Sequence, residues 1–90
     1  MNSIPYIYEY VRCRGFAPLY LEQHIVRLDT LSRKLFLTEC GLTREVLERD
    51  IAGVLRSEGY SANHTNAVQV CIYIDGRTEI RCVEMFYDDF

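Results

Sequence analysis

A single lysine, Lys34, stands among the ten lysine and arginine residues of this 90-residue chain. Chemistry that needs a lysine amine therefore has one position to work from. No apolar run approaches the roughly 20 residues that cross a bilayer as a helix. The N-terminus, MNSIPYIYEY, lacks the basic-then-apolar layout of a signal peptide, so cytoplasmic residence is the default expectation. An excess of positive charge is missing too. The formal net charge of −3 argues against nucleic acid or an acidic membrane surface as a partner, since both require a basic face. Cys13, Cys40, Cys71 and Cys82 form no C-x-x-C pair and have no histidine at metal-ligand spacing. Reduced, mostly buried thiols are the first reading, because free cysteine is among the most buried residue types; a disulfide framework or zinc site is the alternative. No Ser-His-Asp arrangement, glycine-rich phosphate loop or H-E-x-x-H helix occurs, and there is no internal repeat, low-complexity run or linker.

What the chain does have is apolar content of 49% with 12% aromatics, enough for a folded core. Its length fits one small domain over residues 1–90. A domain this size buries a modest share of its surface, so the expectation is stability that is marginal or completed by a partner.

Residues 5–14 read as a strand closed by Gly15. Alternation sorts Ile7, Val11 and Cys13 to one face, with Glu9 the exception, and Tyr6, Tyr8, Tyr10, Arg12 and Arg14 to the other. Residues 16–19 suit a short return strand with Pro18 marking its edge. A first helix is expected over 21–37: Leu21, Ile25, Leu28, Leu31 or Ser32, and Leu35 recur at steps of three and four, and Cys40-Gly41 ends the segment. A second is expected over 43–58, with Thr43 as N-cap, Glu45 in the first turn, a Leu42–Leu47 staple, a stripe of Leu47, Ile51, Val54 and Leu55, and Gly59 as the stop. Residues 66–75 and 77–87 then form a hairpin around Asp75-Gly76. A two-residue loop would set Ile72 and Val70 opposite Glu79 and Arg81. A three-residue loop with Gly76 left-handed pairs Tyr73 with Arg77 and gathers Val68, Val70, Ile72, Ile80 and Cys82 on one face. The apolar match favours the three-residue loop. The expected fold is α+β, a two-layer sandwich in which two helices pack an antiparallel sheet in the order β(β)ααββ.

Taken alone, the tyrosine stripe is a half-exposed surface or interface, His24 a capping or packing residue, Arg27 a solvated or ion-paired helix arginine, and Asp88-Asp89 a solvated tail. A resemblance adds to this. Tyr8-Glu9-Tyr10-Val11-Arg12, then Gly15, then Leu21-Glu22-Gln23-His24-Ile25-Val26-Arg27-Leu28 and Leu31-Ser32 resemble the opening of the small N-terminal domain of class IV (fold-type-IV) aminotransferases, a family that includes aminodeoxychorismate lyase. The likeness runs from about Tyr8 to Tyr73, and its specific core is H-h-x-R-L, where h is apolar. It implies pyridoxal 5′-phosphate (PLP) as cofactor, with Arg27 on its phosphate, Tyr8 lining the substrate side, Arg12 at a basic position near the site, and Arg77 where some members bind a substrate carboxylate. It also implies a homodimer, an amino acid or keto acid substrate, and a large C-terminal domain that supplies the catalytic lysine.

The departures are equally definite. Residues 1–7 lack the family's glycine-rich G-D-G segment, and Ser32-Arg33 replaces the family's Ser-Ala. Lys34 lies in the first helix, where the family places no cofactor-bearing lysine. The expectation is therefore the N-terminal portion of a PLP-dependent enzyme, inactive alone. The competing expectation is a stand-alone interaction or small-ligand module that uses its Tyr/Arg sheet face. A nucleic-acid binder with those aromatics as stacking platforms fails on net charge.

Overall fold

Alternating burial, helical stripes and a hairpin turn produce four strands and two helices in the computed structural model, which describes residues 4–83. The order is β1 (Tyr6–Arg14), β2 (Ala17–Pro18), α1 (Leu21–Leu35), α2 (Arg44–Ser57), β3 (Thr65–Tyr73) and β4 (Thr78–Val83). The strands form one antiparallel sheet in the spatial order β2-β1-β3-β4. This is a small α+β fold.

Register places the core. β1 pairs with β3 so that Ile7 opposes Ile72, Glu9 opposes Val70 and Val11 opposes Val68. Ile7, Val11, Cys13, Val68, Val70 and Ile72 are buried and form one core cluster with Leu21 and Leu28 of α1 and Leu47, Ile51 and Leu55 of α2. The hairpin takes the three-residue loop. Tyr73 N–H donates to Arg77 O at 2.9 Å, Gly76 N–H donates to Tyr73 O at 2.9 Å, and Gly76 adopts φ 95°. Ile80 and Cys82 accordingly fall opposite Val70 and Val68. The part of the expected last strand beyond Val83, and the Asp88-Asp89 pair, lie outside the described residues.

α2 begins and ends close to the expected positions. Thr43 Oγ1 accepts from Val46 N–H at 3.3 Å as the N-cap, and Glu58 is the C-cap. α1 stops two residues early. Ser32 O accepts the N–H of Phe36 at 2.8 Å and of Thr38 at 3.5 Å, while Leu37 turns left-handed at φ 60°. Ser32 Oγ donates to Thr38 O at 2.7 Å, and Asp29 Oδ1 accepts from Cys40 N–H at 3.1 Å, so side chains rather than a glycine close the helix. Phe36 packs on the core in place of Leu35, which is exposed.

The turn after β1 needs its glycine. Gly15 has φ 62°, and a Cβ there would lie 2.3 Å from Ala62 O. Asn66, buried, anchors the same corner: its Nδ2 donates to Gly15 O at 2.8 Å and to Ser61 O at 2.9 Å. All four cysteines are free, and burial pushes the Cys13 thiol up to about 11, the nearby Cys82 adding to the shift. Among the described residues no group of His, Cys, Asp and Glu side chains could hold a metal ion, and no helix is long and apolar enough to cross a membrane.

Candidate functional site

Glu9 breaks the apolar alternation of β1, and the structure shows why it is tolerated. It points toward the helix layer, half-buried, beneath one face of α1. His24 and Arg27, three apart on that helix, lie on a shared face and converge on it. His24 Nδ1 lies 2.7 Å from Glu9 Oε1, and Arg27 Nε–H donates to the same oxygen at 3.0 Å. Burial raises the Glu9 carboxyl, but the hydrogen bonds from His24 and Arg27 and their charges outweigh it and leave the group below its ordinary value. Glu9 is thus ionised near neutrality and has no hydrogen to give, so the proton in the 2.7 Å contact belongs to His24 Nδ1. With a proton there, Nδ1 has no lone pair for Arg27 Nη2 at 3.0 Å, and that approach is one of two donors side by side.

Glu9 therefore engages Arg27 through Nε alone. The arginine side chain is 55% exposed. Glu9 offsets the arginine's charge, so attraction for an anion rests on directed N–H donors more than on net charge. A guanidinium bound through Nε can still direct Nη–H groups at the oxygens of a carboxylate or a phosphate.

The opposite face of the sheet carries the other residues singled out in the sequence. Tyr6, Tyr8 and Tyr10 are exposed there, and Tyr73 joins them from β3. Ring centroids lie 6.1 Å apart for Tyr6–Tyr8, 5.1 Å for Tyr6–Tyr73 and 5.3 Å for Tyr8–Tyr10. Arg77 lies over the Tyr73 ring at 4.6 Å and pairs with Asp75 at 2.9 Å. Tyr73 Oη–H donates to Glu79 Oε1 at 2.6 Å, Arg81 Nη2–H donates to both, and the bond to Glu79 holds the Tyr73 phenol above its usual value.

The four residues taken as a site do not converge in this domain. Arg27 acts on the helix side of β1, and Tyr8, Arg12 and Arg77 belong to the other. Arg77 sits in the row of Tyr6 and Arg12 six residues further along β1, a separation of about 20 Å at the rise of a strand. One small substrate cannot touch both arginines. Sequence reasoning missed Glu9 and took His24 for a cap or packing residue. The signal available was Glu9 itself, the one charge on the apolar face of β1, with no stated partner. Lys34 is exposed in the last turn of α1, two helical turns from Arg27. A hollow of about 430 Å³ lined by Arg33, Leu37, Thr38 and Glu39 opens beyond the end of that helix, away from the cluster.

Compared with known proteins, the chain matches no protein-family model, no curated protein and no solved structure.

Proposed function

We propose that this chain is the small N-terminal portion of a PLP-dependent, class IV aminotransferase-like enzyme, of the amino-group-transfer or aminodeoxychorismate lyase type, and is inactive by itself. The observation that carries the reading is the Glu9–His24–Arg27 cluster. Glu9 of the Tyr8-Glu9-Tyr10-Val11-Arg12 strand and His24 and Arg27 of the LEQHIVRL helix are the residues on which the family likeness rests, and they meet in space. A guanidinium fixed through Nε, with Nη groups left over, suits one contact to the phosphate of pyridoxal 5′-phosphate. When bound, that cofactor supplies an electron sink for amino-group chemistry. These residues suit the phosphate only: the lysine that would carry the cofactor belongs to a second, larger domain, and Lys34 is on the wrong element to replace it. Under this reading the two helices cover the far side of a two-layer sandwich, a homodimer forms, and an amino or keto acid is bound at the domain boundary on the Arg27 side, so that Tyr8, Arg12 and Arg77, across the sheet from Arg27, do not share the cofactor's site.

The reading frame beyond Phe90 tests this. A continuation of roughly 100 residues or more, one domain's worth, with a lysine embedded in a strand is the expected finding. A stop codon directly after Phe90 would contradict it. The second reading, an interaction module, draws on the tyrosine face, which the described residues leave bare.

A further inference from the structure

The sheet has two outer edges, and they are built differently. Antiparallel pairing alternates residues whose N–H and C=O point at the neighbour with residues whose groups point away. Ile74 N–H donates to Pro5 O at 3.0 Å, so in the β1–β3 register the odd residues of β1 aim their backbone groups at β3. The even residues aim theirs outward, and Arg12 O confirms it by accepting from Leu19 N–H at 2.8 Å on the β2 side. β2 pairs only with Cys13 and Arg14. The N–H and C=O groups of Tyr6, Tyr8 and Tyr10 therefore face an edge that no described strand covers.

Sheet edges of this kind are normally protected by lysine, proline, a bulge or an inward charge. The opposite edge, β4, carries Glu79 and Arg81 as an ion pair at 2.9 Å next to Arg77, a charged border. From Tyr6 to Val11, β1 has no basic residue and no proline. Its one charge, Glu9, is turned into the helix layer and bound by His24 and Arg27.

From these features we infer that the β1 edge is a self-association surface and that its occupant is β1 of a second copy, added antiparallel about a two-fold axis at Tyr8. Backbone direction permits only even-to-even pairing. Centring on Tyr6 loses Tyr10, centring on Ile7 leaves Tyr10 opposite Ile4 instead of a tyrosine, and centring on Glu9 sets the two Glu9 residues opposite each other and Tyr6 opposite Arg12. Centring on Tyr10 drives Tyr8 onto Arg12, whose carbonyl already serves Leu19. Centring on Tyr8 pairs Tyr6 with Tyr10, Tyr8 with Tyr8 and Tyr10 with Tyr6, so that all three free residues of each copy are used. It keeps the two Glu9 side chains from facing each other, each lying opposite Ile7. The tyrosine ladder of one bare face then continues into the next, with aromatic pairs directly across the new junction. The contact is isologous and closed: once made, it uses the open part of β1 in both copies and leaves the charged β4 edge and the short, two-residue β2 outside. Pairing through Tyr6, Tyr8 and Tyr10 makes a contact small beside the roughly 1,600 Å² of a stable complex, so the dimer forms reversibly and its population depends on concentration. The PLP reading also calls for a homodimer, but this surface is argued from the β1 edge alone, and a chain that dimerises through Tyr8 without responding to the phosphate ligand would separate the two.

Sedimentation velocity on the full chain over roughly 1–500 μM tests it. The expected result is a rise in average mass from one copy to two and no further. Tyr8→Lys sets two like charges face to face across the axis and should hold the chain monomeric with its circular dichroism unchanged. Tyr8→Pro removes an N–H that the fold does not use and should do the same, and if that variant unfolds, Tyr8→Lys decides alone. A wild-type chain that stays monomeric over the whole range would overturn the inference. So would a dimer indifferent to Tyr8→Lys, or open-ended growth past two copies.

Discussion

At the scale of single residues, the two positions with least freedom are Gly15 and Glu9. Gly15 is fixed by its left-handed backbone and by the carbonyl of Ala62 against it. Gly15→Ala must both move that backbone and accept a left-handed alanine, so it should cost at least about 2 kcal/mol in urea-unfolding free energy. Glu9 makes a pH-dependent contribution. Its folded value lies below the ordinary one of 4.5, so its stabilisation is present above that pH and is lost as pH falls through the lowered folded value. The stability gap between wild type and Glu9→Gln should therefore narrow between about pH 6 and pH 3, as read by unfolding at each pH. A constant gap would mean that the carboxylate's charge is not what His24 and Arg27 hold. Period-two alternation made the burial of Ile7, Val11 and Cys13 legible, along with the exposed tyrosines. Glu9 stood out as an exception, but its partners come from a helix fifteen and eighteen residues away, a relation that pattern alone does not carry.

At the scale of elements, local chemistry sufficed wherever a terminus was marked by its own residues. Thr43 caps α2, and Gly76 turns the hairpin through a positive φ, so both boundaries and the register could be anticipated. α1 carries no such mark. Its apolar run Leu35-Phe36-Leu37 continues past the stop, and the closing bonds come from Ser32 and from Asp29 to Cys40, which have no local signature. The helix ends instead with Leu37, almost wholly exposed and left-handed. Leu37→Gly relieves that conformation without losing packing and should raise stability by roughly 0.5–1 kcal/mol, visible as a higher melting temperature. A lower one would show that Leu37 makes contacts of value in the folded chain.

At the scale of the whole molecule, one cluster joins the sheet to both helices, and it contains Leu28, Leu47, Ile51 and Leu55 at full or nearly full burial. Ile51→Ala should cost roughly 2–5 kcal/mol, a large part of what a domain of this size possesses, and should lower the single unfolding transition rather than split it. The α+β class followed from the order of periodic segments. The distribution of the site residues did not, because it depends on register: only the pairing of β1 with β3 puts Arg12 and Arg77 at opposite ends of the sheet and Arg27 on its other side. That arrangement separates Arg27 from Tyr8, Arg12 and Arg77, and under the proposed reading Arg27 alone is this chain's contact to the cofactor. A nuclear magnetic resonance titration of the labelled chain with pyridoxine 5′-phosphate, beside pyridoxine, tests this most directly, since neither alcohol can react with Lys34. The account predicts shifts at Glu9, His24 and the Arg27 Nε–H at roughly millimolar ligand, specific to the phosphate form and absent in Arg27→Ala. Equal shifts with pyridoxine, no shifts with either, or shifts that survive Arg27→Ala would contradict it.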